Sequence, residues 1–138
     1  MGKILLSSFL AFIILFSYSV AWEADWQLFG ESDAGSHSYD VESITHLSND
    51  IVRVWCNQVY NEKFIKKMIV ELGKKFENLH NSRDLFEINC KDYTYRLLSS
   101  TIYAKDGTVI TSSKMSDAEW KFVLPGLLSE GLYEKVCK

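Results

Sequence analysis

Apolar and polar positions along the chain change period several times, and each change marks an element. Trp26 to Phe29 and Ser36 to Val41 are short strand-like runs. Between them lies Gly30-Glu31-Ser32-Asp33-Ala34-Gly35, whose glycines and polar side chains suit a turn, so the spacing predicts a first hairpin. After the turn residues Ser48-Asn49-Asp50, the run Ile51 to Tyr60 reads as a central strand, β-branched and aromatic with apolar side chains on both faces. From Asn61 to Leu79 the period lengthens to about 3.6, and Ile65, Met68, Ile69, Leu72, Phe76 and Leu79 fall on one stripe of an amphipathic helix. Glu62 with Lys66 and Glu71 with Lys75 stand at i,i+4, pairs worth a few tenths of a kcal/mol each, and Gly73 ends or weakens the helix.

His80 to Asp84 returns the chain to extended structure, and Leu85 to Ala104 holds long runs of strand formers. Lys105-Asp106-Gly107-Thr108 supplies the Asp-Gly pair of a tight two-residue hairpin turn, with Thr108 to Ser113 as the returning strand. Ser116 and Glu119 have the spacing of a capping box, predicting a helical turn, and Trp120 to Leu124 reads as extended. Beyond Pro125, Leu127, Leu128, Leu132 and Val136 predict a short closing helix that carries Cys137 inward. Strands and helices do not alternate regularly and hairpins join neighbours. The predicted class is therefore α+β, an antiparallel β-sheet packed with one main amphipathic helix and a short C-terminal helix, the helices on one face.

The first residues change where the protein is expected to work. Lys3, an apolar run of 13 residues from Ile4 to Phe16, and Ser17-Tyr18-Ser19-Val20-Ala21 have the layout of a signal peptide over 1–21, cut after Ala21. The run falls short of the roughly 20 residues of a membrane-spanning helix, so no stable membrane insertion is expected after cleavage. The cut site has no Cys to accept a lipid. The expected location is therefore the periplasm, the cell surface or the medium. The mature chain, 22–138, reads as one domain and is too short for a second. Without 1–21 the chain carries 14 cationic and 18 acidic side chains, a balance that speaks against nucleic acid, whose binders need a basic surface.

Export also governs the three cysteines, Cys56, Cys90 and Cys137, because disulfides persist outside the cytoplasm. Alternation puts Cys56 on one face of its strand with Val52 and Val54, as a buried small hydrophobe, which leaves Cys90 and Cys137 to pair. Such a bridge would pin the C-terminus to the sheet. Trp55 and Trp120 are expected to fill the core, and Trp22 and Trp26 to be exposed.

No residue set points to catalysis, and none to a metal or cofactor. His37, His46 and His80 lie far apart, in or near predicted turns, without metal-ligand spacing, and read as surface histidines. Neither a Cys-x-x-Cys pair nor a Gly-rich phosphate loop is present. Carboxylate pairs such as Glu31 with Asp33 and Asp117 with Glu119 sit in solvated polar segments, where nothing drives two pKa values apart. One feature opposes the net charge. Lys63, Lys66, Lys67, Lys74 and Lys75 crowd the solvent side of the predicted helix, with Arg53 on the strand before it, a candidate surface for an acidic glycan or acidic protein segment. Glu62, Glu71 and Glu77 interleave with these lysines, which is also the pattern of an ordinary solvated helix face.

The ordered set Trp26, Tyr39-Asp40, Ser43-Ile44, Val52-Arg53-Val54-Trp55, Tyr60, Ile88-Asn89-Cys90, Tyr95-Arg96, the Tyr103 to Gly107 turn, Trp120, Pro125 and Val136-Cys137 resembles the bacterial surface-adhesin protein E family. The resemblance implies an antiparallel sheet with packed helices, a Cys90 to Cys137 bridge, and a cell-surface protein that binds host extracellular components such as vitronectin and laminin. Two features depart from the pattern: the anchoring Cys of the lipid-linked type is missing, and Cys56 stands in a strand. No binding residue carries over. The expected function is a non-enzymatic, adhesin-like secreted or envelope protein that recognises a host matrix protein or other macromolecule through a sheet edge or the basic helix. The alternative is a periplasmic module that binds a small apolar ligand in an aromatic groove or assists envelope assembly.

Overall fold

The computed structural model describes residues 23–138, and the predicted signal segment lies outside them. Eight strands form one antiparallel sheet: β1 (Trp26–Ser32), β2 (Gly35–Asp40), β3 (Thr45–His46), β4 (Ile51–Tyr60), β5 (Leu79–Asn89), β6 (Thr94–Ala104), β7 (Val109–Lys114) and β8 (Lys121–Phe122). The main order is β1-β2-β4-β5-β6-β7, with β3 paired to β4 and β8 to β6. Two helices, α1 (Glu62–Leu72) and α2 (Leu128–Val136), complete the α+β fold.

Alternation along β4 to β6 divides the sheet into two unlike faces. Residues directly opposite across a ladder share a face. Val52 faces Ile88, Val54 faces Phe86 and Cys56 faces both Asp84 and Tyr39, which defines the core face. Leu132 and Val136 of α2 join Tyr39, Val52, Val54, Cys56 and Ile88 in a single buried cluster, so α2 covers this face. The other face carries Arg53 opposite Glu87, Trp55 opposite Leu85, and Asn57 opposite Arg83.

A helix of nine residues cannot hold itself in water, so α2 depends on what fixes it. Cys137, just past its end, is bridged to Cys90, just past β5, with 5.6 Å between their Cα atoms. The Tyr133 hydroxyl donates to the Cys90 carbonyl at 2.7 Å, and its ring packs on Tyr93 with centroids 4.2 Å apart. Burying Leu132 and Val136 adds about 2 kcal/mol each. Gly131 allows the close approach to β1, since a Cβ there would lie 2.8 Å from the Phe29 carbonyl oxygen.

Several elements differ from their sequence reading. The first hairpin turns at Asp33-Ala34, with β1 running three residues further than the sequence suggests and β2 of the expected length but starting one residue earlier. Helix α1, N-capped by the Asn61 side chain accepting from the Phe64 amide at 2.8 Å, stops at Leu72. Phe76 and Leu79 continue the helical spacing but reach the interior by other routes, Phe76 from a 3₁₀ turn and Leu79 from the first position of β5. No residue of α1 is buried, and Val70 is 86% exposed. Its ion pair is Lys67 with Glu71 rather than Glu71 with Lys75, because Lys75 lies beyond the helix end. The Asp106-Gly107 hairpin has a three-residue loop: the Gly107 amide donates to the Ala104 carbonyl, and the Ala104 amide to the Thr108 carbonyl, with Gly107 at φ 85°. Ser116-Asp117 form a turn with no helix, and Lys121–Phe122 pair with β6.

The bridge closes a loop of 47 residues, and in the chain-entropy description that constraint contributes about 4 kcal/mol. Cys90→Ser is expected to lower the unfolding free energy by about that amount in urea titrations. Cys56 is buried and unpaired, and burial, reinforced by the nearby Asp84 charge, pushes its thiol far up from the ordinary range. Intact mass after iodoacetamide should therefore show no label on the native protein, one after unfolding without reductant, and three after reduction.

Candidate functional site

The helix-free face of the sheet is where charged and aromatic side chains gather. In β5 the alternation that sends Ile88 and Phe86 to the core sends Glu87, Leu85 and Arg83 outward. Their neighbours extend the pattern across the sheet: Glu87 lies between Arg53 of β4 and Arg96 of β6, and Arg83 between Asn57 and Thr101.

Glu87 holds this face together. Its Oε2 accepts from Arg53 Nε at 3.2 Å and Nη2 at 2.8 Å, and its Oε1 accepts from Arg96 Nε at 2.9 Å and Nη2 at 2.7 Å. The carboxylate side chain is 3% exposed, against 41% and 30% for the two arginines, so the acid is sunk beneath its partners. Burial works to raise the Glu87 pKa, but the four hydrogen bonds and two positive charges outweigh it and hold the group below its ordinary value. The trio keeps one positive charge in excess. Trp120 lies on Arg96, with the guanidinium carbon 4.3 Å from the ring centroid.

Beside this trio is a hollow of about 260 Å³ lined by Trp26, Asp40, Trp55, Arg83, Thr101 and Tyr103. Arg83 is exposed, its guanidinium 5.8 Å from the Trp26 ring and 5.7 Å from that of Tyr103. Among the described residues no carboxylate stands within ion-pair distance of it. Asp40, the nearest acid of the hollow, is committed to the backbone: its Oδ1 accepts from the Asp25 and Glu42 amides. Trp55 is 39% exposed. Planar rings beside a guanidinium free to make a forked pair suit an oxyanion such as a carboxylate or sulfate, because the rings give contact area and the arginine gives directional donors.

The residues expected from sequence to form one basic surface are split. Lys63, Lys66 and Lys67 are exposed on α1 and Lys74 and Lys75 on the turn after it, whereas Arg53 sits seven residues before the end of β4, about 23 Å along the strand. Arg53 belongs with Glu87 and Arg96 instead. Trp55 and Trp120 are not core residues: Trp55 points to the face that no helix covers, and Trp120 is spent on Arg96. Trp26 is part-buried beside Arg83 rather than loose at the start, and Trp22 lies outside the described residues. His37 is not an ordinary surface histidine: in β2, near the first turn, it is part-buried with its Nε2 2.9 Å from Ser32 Oγ, and burial lowers its pKa. Arg83 and Glu87 escaped the sequence reading, although their charged positions share the parity of Leu85 and oppose that of Phe86 and Ile88, and Tyr103 entered it only as the start of a turn.

Among the described residues no group of three or more His, Cys, Asp or Glu side chains could hold a metal ion, and no helix is long and apolar enough to cross a membrane. A family model described as surface-adhesin protein E matches residues 26–138. No curated protein and no solved structure matches the chain.

Glu87→Gln is expected to lower stability by on the order of 3 kcal/mol at pH 7, since it leaves two guanidiniums over a site that has lost its charge. Because the folded-state pKa of Glu87 is depressed, its contribution is present above the ordinary carboxylate value of 4.5 and is lost as pH falls through the folded value. Chemical denaturation between pH 7 and pH 3 should show the wild-type protein losing more stability than the variant.

Proposed function

The chain belongs to the surface-adhesin protein E family, and from that premise we propose that it is a non-enzymatic surface or secreted adhesin that binds an acidic partner through the helix-free face of its sheet. The carrying observation is the juxtaposition of Arg83, with no ion-pair partner among the described residues, and the rings of Trp26, Trp55 and Tyr103. Arg53 and Arg96 add charge from the far side of the Trp55–Leu85 row. Arginine and tryptophan are the side chains that most often dominate binding energy at interfaces, and here both are already ordered by the sheet, which reduces the entropy lost on association.

Partners of the right chemistry are sulfated glycans and acidic segments of host matrix proteins such as vitronectin or laminin. The lysines of α1 and the following turn supply longer-range attraction and affect the rate of encounter more than the strength of the complex. Export to the periplasm, surface or medium is part of the same reading, supported by the family and by the signal-like start of the chain.

The test is solid-phase binding to heparin, vitronectin and laminin. Arg83→Ala and Trp55→Ala should each weaken binding about tenfold, the size of a hot-spot loss, whereas a triple Lys63, Lys66 and Lys67→Ala variant should mainly slow association and flatten its salt dependence. Failure to bind any of the three partners at micromolar concentration would sink the adhesive role, and loss confined to the lysine variant would move the site to α1.

A further inference from the structure

The core face is not closed along its whole length. Between the first turn of α2 and the sheet lies a cleft of about 200 Å³, with Phe29, Phe86 and Leu132 among its apolar walls and His37, Gln58 and Asp84 among its polar groups. It lies on the opposite side of the sheet from the Arg83 hollow, since Asp84 and Arg83 are successive residues of β5.

Asp84 is the chemically incomplete member. The Ser100 hydroxyl donates to its Oδ1 at 2.5 Å and the Ser82 hydroxyl to its Oδ2 at 3.2 Å, and among the described residues no Lys, Arg or His forms an ion pair with it. Two hydroxyls place the carboxylate but leave its charge unanswered in a part-buried apolar setting, where a lone anion is costly. Desolvation accordingly raises the Asp84 pKa, against the pull of the two serine hydroxyls, and its negative charge helps raise that of Cys56 across the ladder. The other titratable groups lining the cleft, His37, Cys56 and Tyr95, offer no cation at neutral pH, since burial lowers the His37 pKa.

We propose that this cleft binds a small primary ammonium ion with a compact apolar body, the ammonium seated on Asp84 and the body between Phe29, Phe86 and Leu132. The three donors of an ammonium group complement a carboxylate that lines the cleft and accepts only two hydroxyl hydrogen bonds, and the volume suits a body about the size of one aromatic ring.

Phenethylamine and its neutral counterpart phenethyl alcohol separate the charge from the apolar contact. In ligand-observed NMR titrations of the folded chain at pH 7, the amine should bind at least tenfold more tightly than the alcohol. Asp84→Asn, which keeps an acceptor for the serine hydroxyls, should remove that preference, and Ser129→Phe, at a residue lining the cleft, should block both ligands. Equal binding of the two ligands, or no binding of either at about 10 mM, overturns the proposal. So does an amine preference that survives Asp84→Asn. Should circular dichroism show Asp84→Asn to be unfolded, the wild-type amine-to-alcohol comparison and its loss in Ser129→Phe decide. Heparin binding reports on the other face and should be unchanged in Ser129→Phe, so the two sites can fail independently.

Discussion

The covalent tie between the end of β5 and the end of α2 sets the rest of the molecule. A nine-residue helix at the end of a chain would fray without it, and α2 is the element whose side chains complete the core. The bridge acts with the Tyr133 hydroxyl bond and the Gly131 approach, fixing α2 at its C-terminal end and along its middle. Its first turn packs Leu128 against Gly30 of β1 and, with Ser129, lines the cleft. Placing the helix on one face leaves the other to be finished without helical cover.

That second face is stabilised by electrostatics instead of burial. A sheet face without a helix must satisfy its outward charges or remain soluble through them, and the Arg53–Glu87–Arg96 row does both. The buried carboxylate neutralises one guanidinium and orients two, while Trp120 stacks over Arg96. Arg83 lies outside this arrangement, beside aromatic rings and, among the described residues, without an ion-pair partner. Internal pairing and available charge thus lie four residues apart on β5, two steps of the two-residue strand period, with the Trp55–Leu85 row between them.

How far the fold could be read from the sequence depended on whether local pattern and tertiary context agreed. The bounds of β4 were legible to the residue because β-branched and aromatic side chains dominate both ends of the run from Ile51 to Tyr60, between turn signals. The disulfide was legible through parity, since the position that hides Cys56 leaves only two thiols to meet. The length of α1 was overread because Phe76 and Leu79 obey helical spacing while being buried by a turn and a strand. Periodicity reports that a residue is buried, not which element buries it. The binding face was the least legible part. Arg53, Arg83 and Arg96 are scattered over three strands, and only the register of the ladders brings them onto one face, with one row between Arg83 and the other two. The tryptophans misled for the same reason: their size predicted a core, whereas the absence of a helix over Trp55 left it at the surface.

The lone thiol in β4 has a consequence for how the chain matures. Any two of the three cysteines can join in an unfolded chain, and Cys56 is nearer in sequence to Cys90 than Cys137 is. Loop closure alone would therefore favour the wrong partner. Once β4 is laid between β2 and β5, its sulfur is enclosed among Tyr39, Val54 and Ile88 and held as a protonated thiol, no longer able to attack. Sheet assembly thus withdraws Cys56 from thiol–disulfide exchange and leaves Cys90 and Cys137 as the two sulfurs able to join.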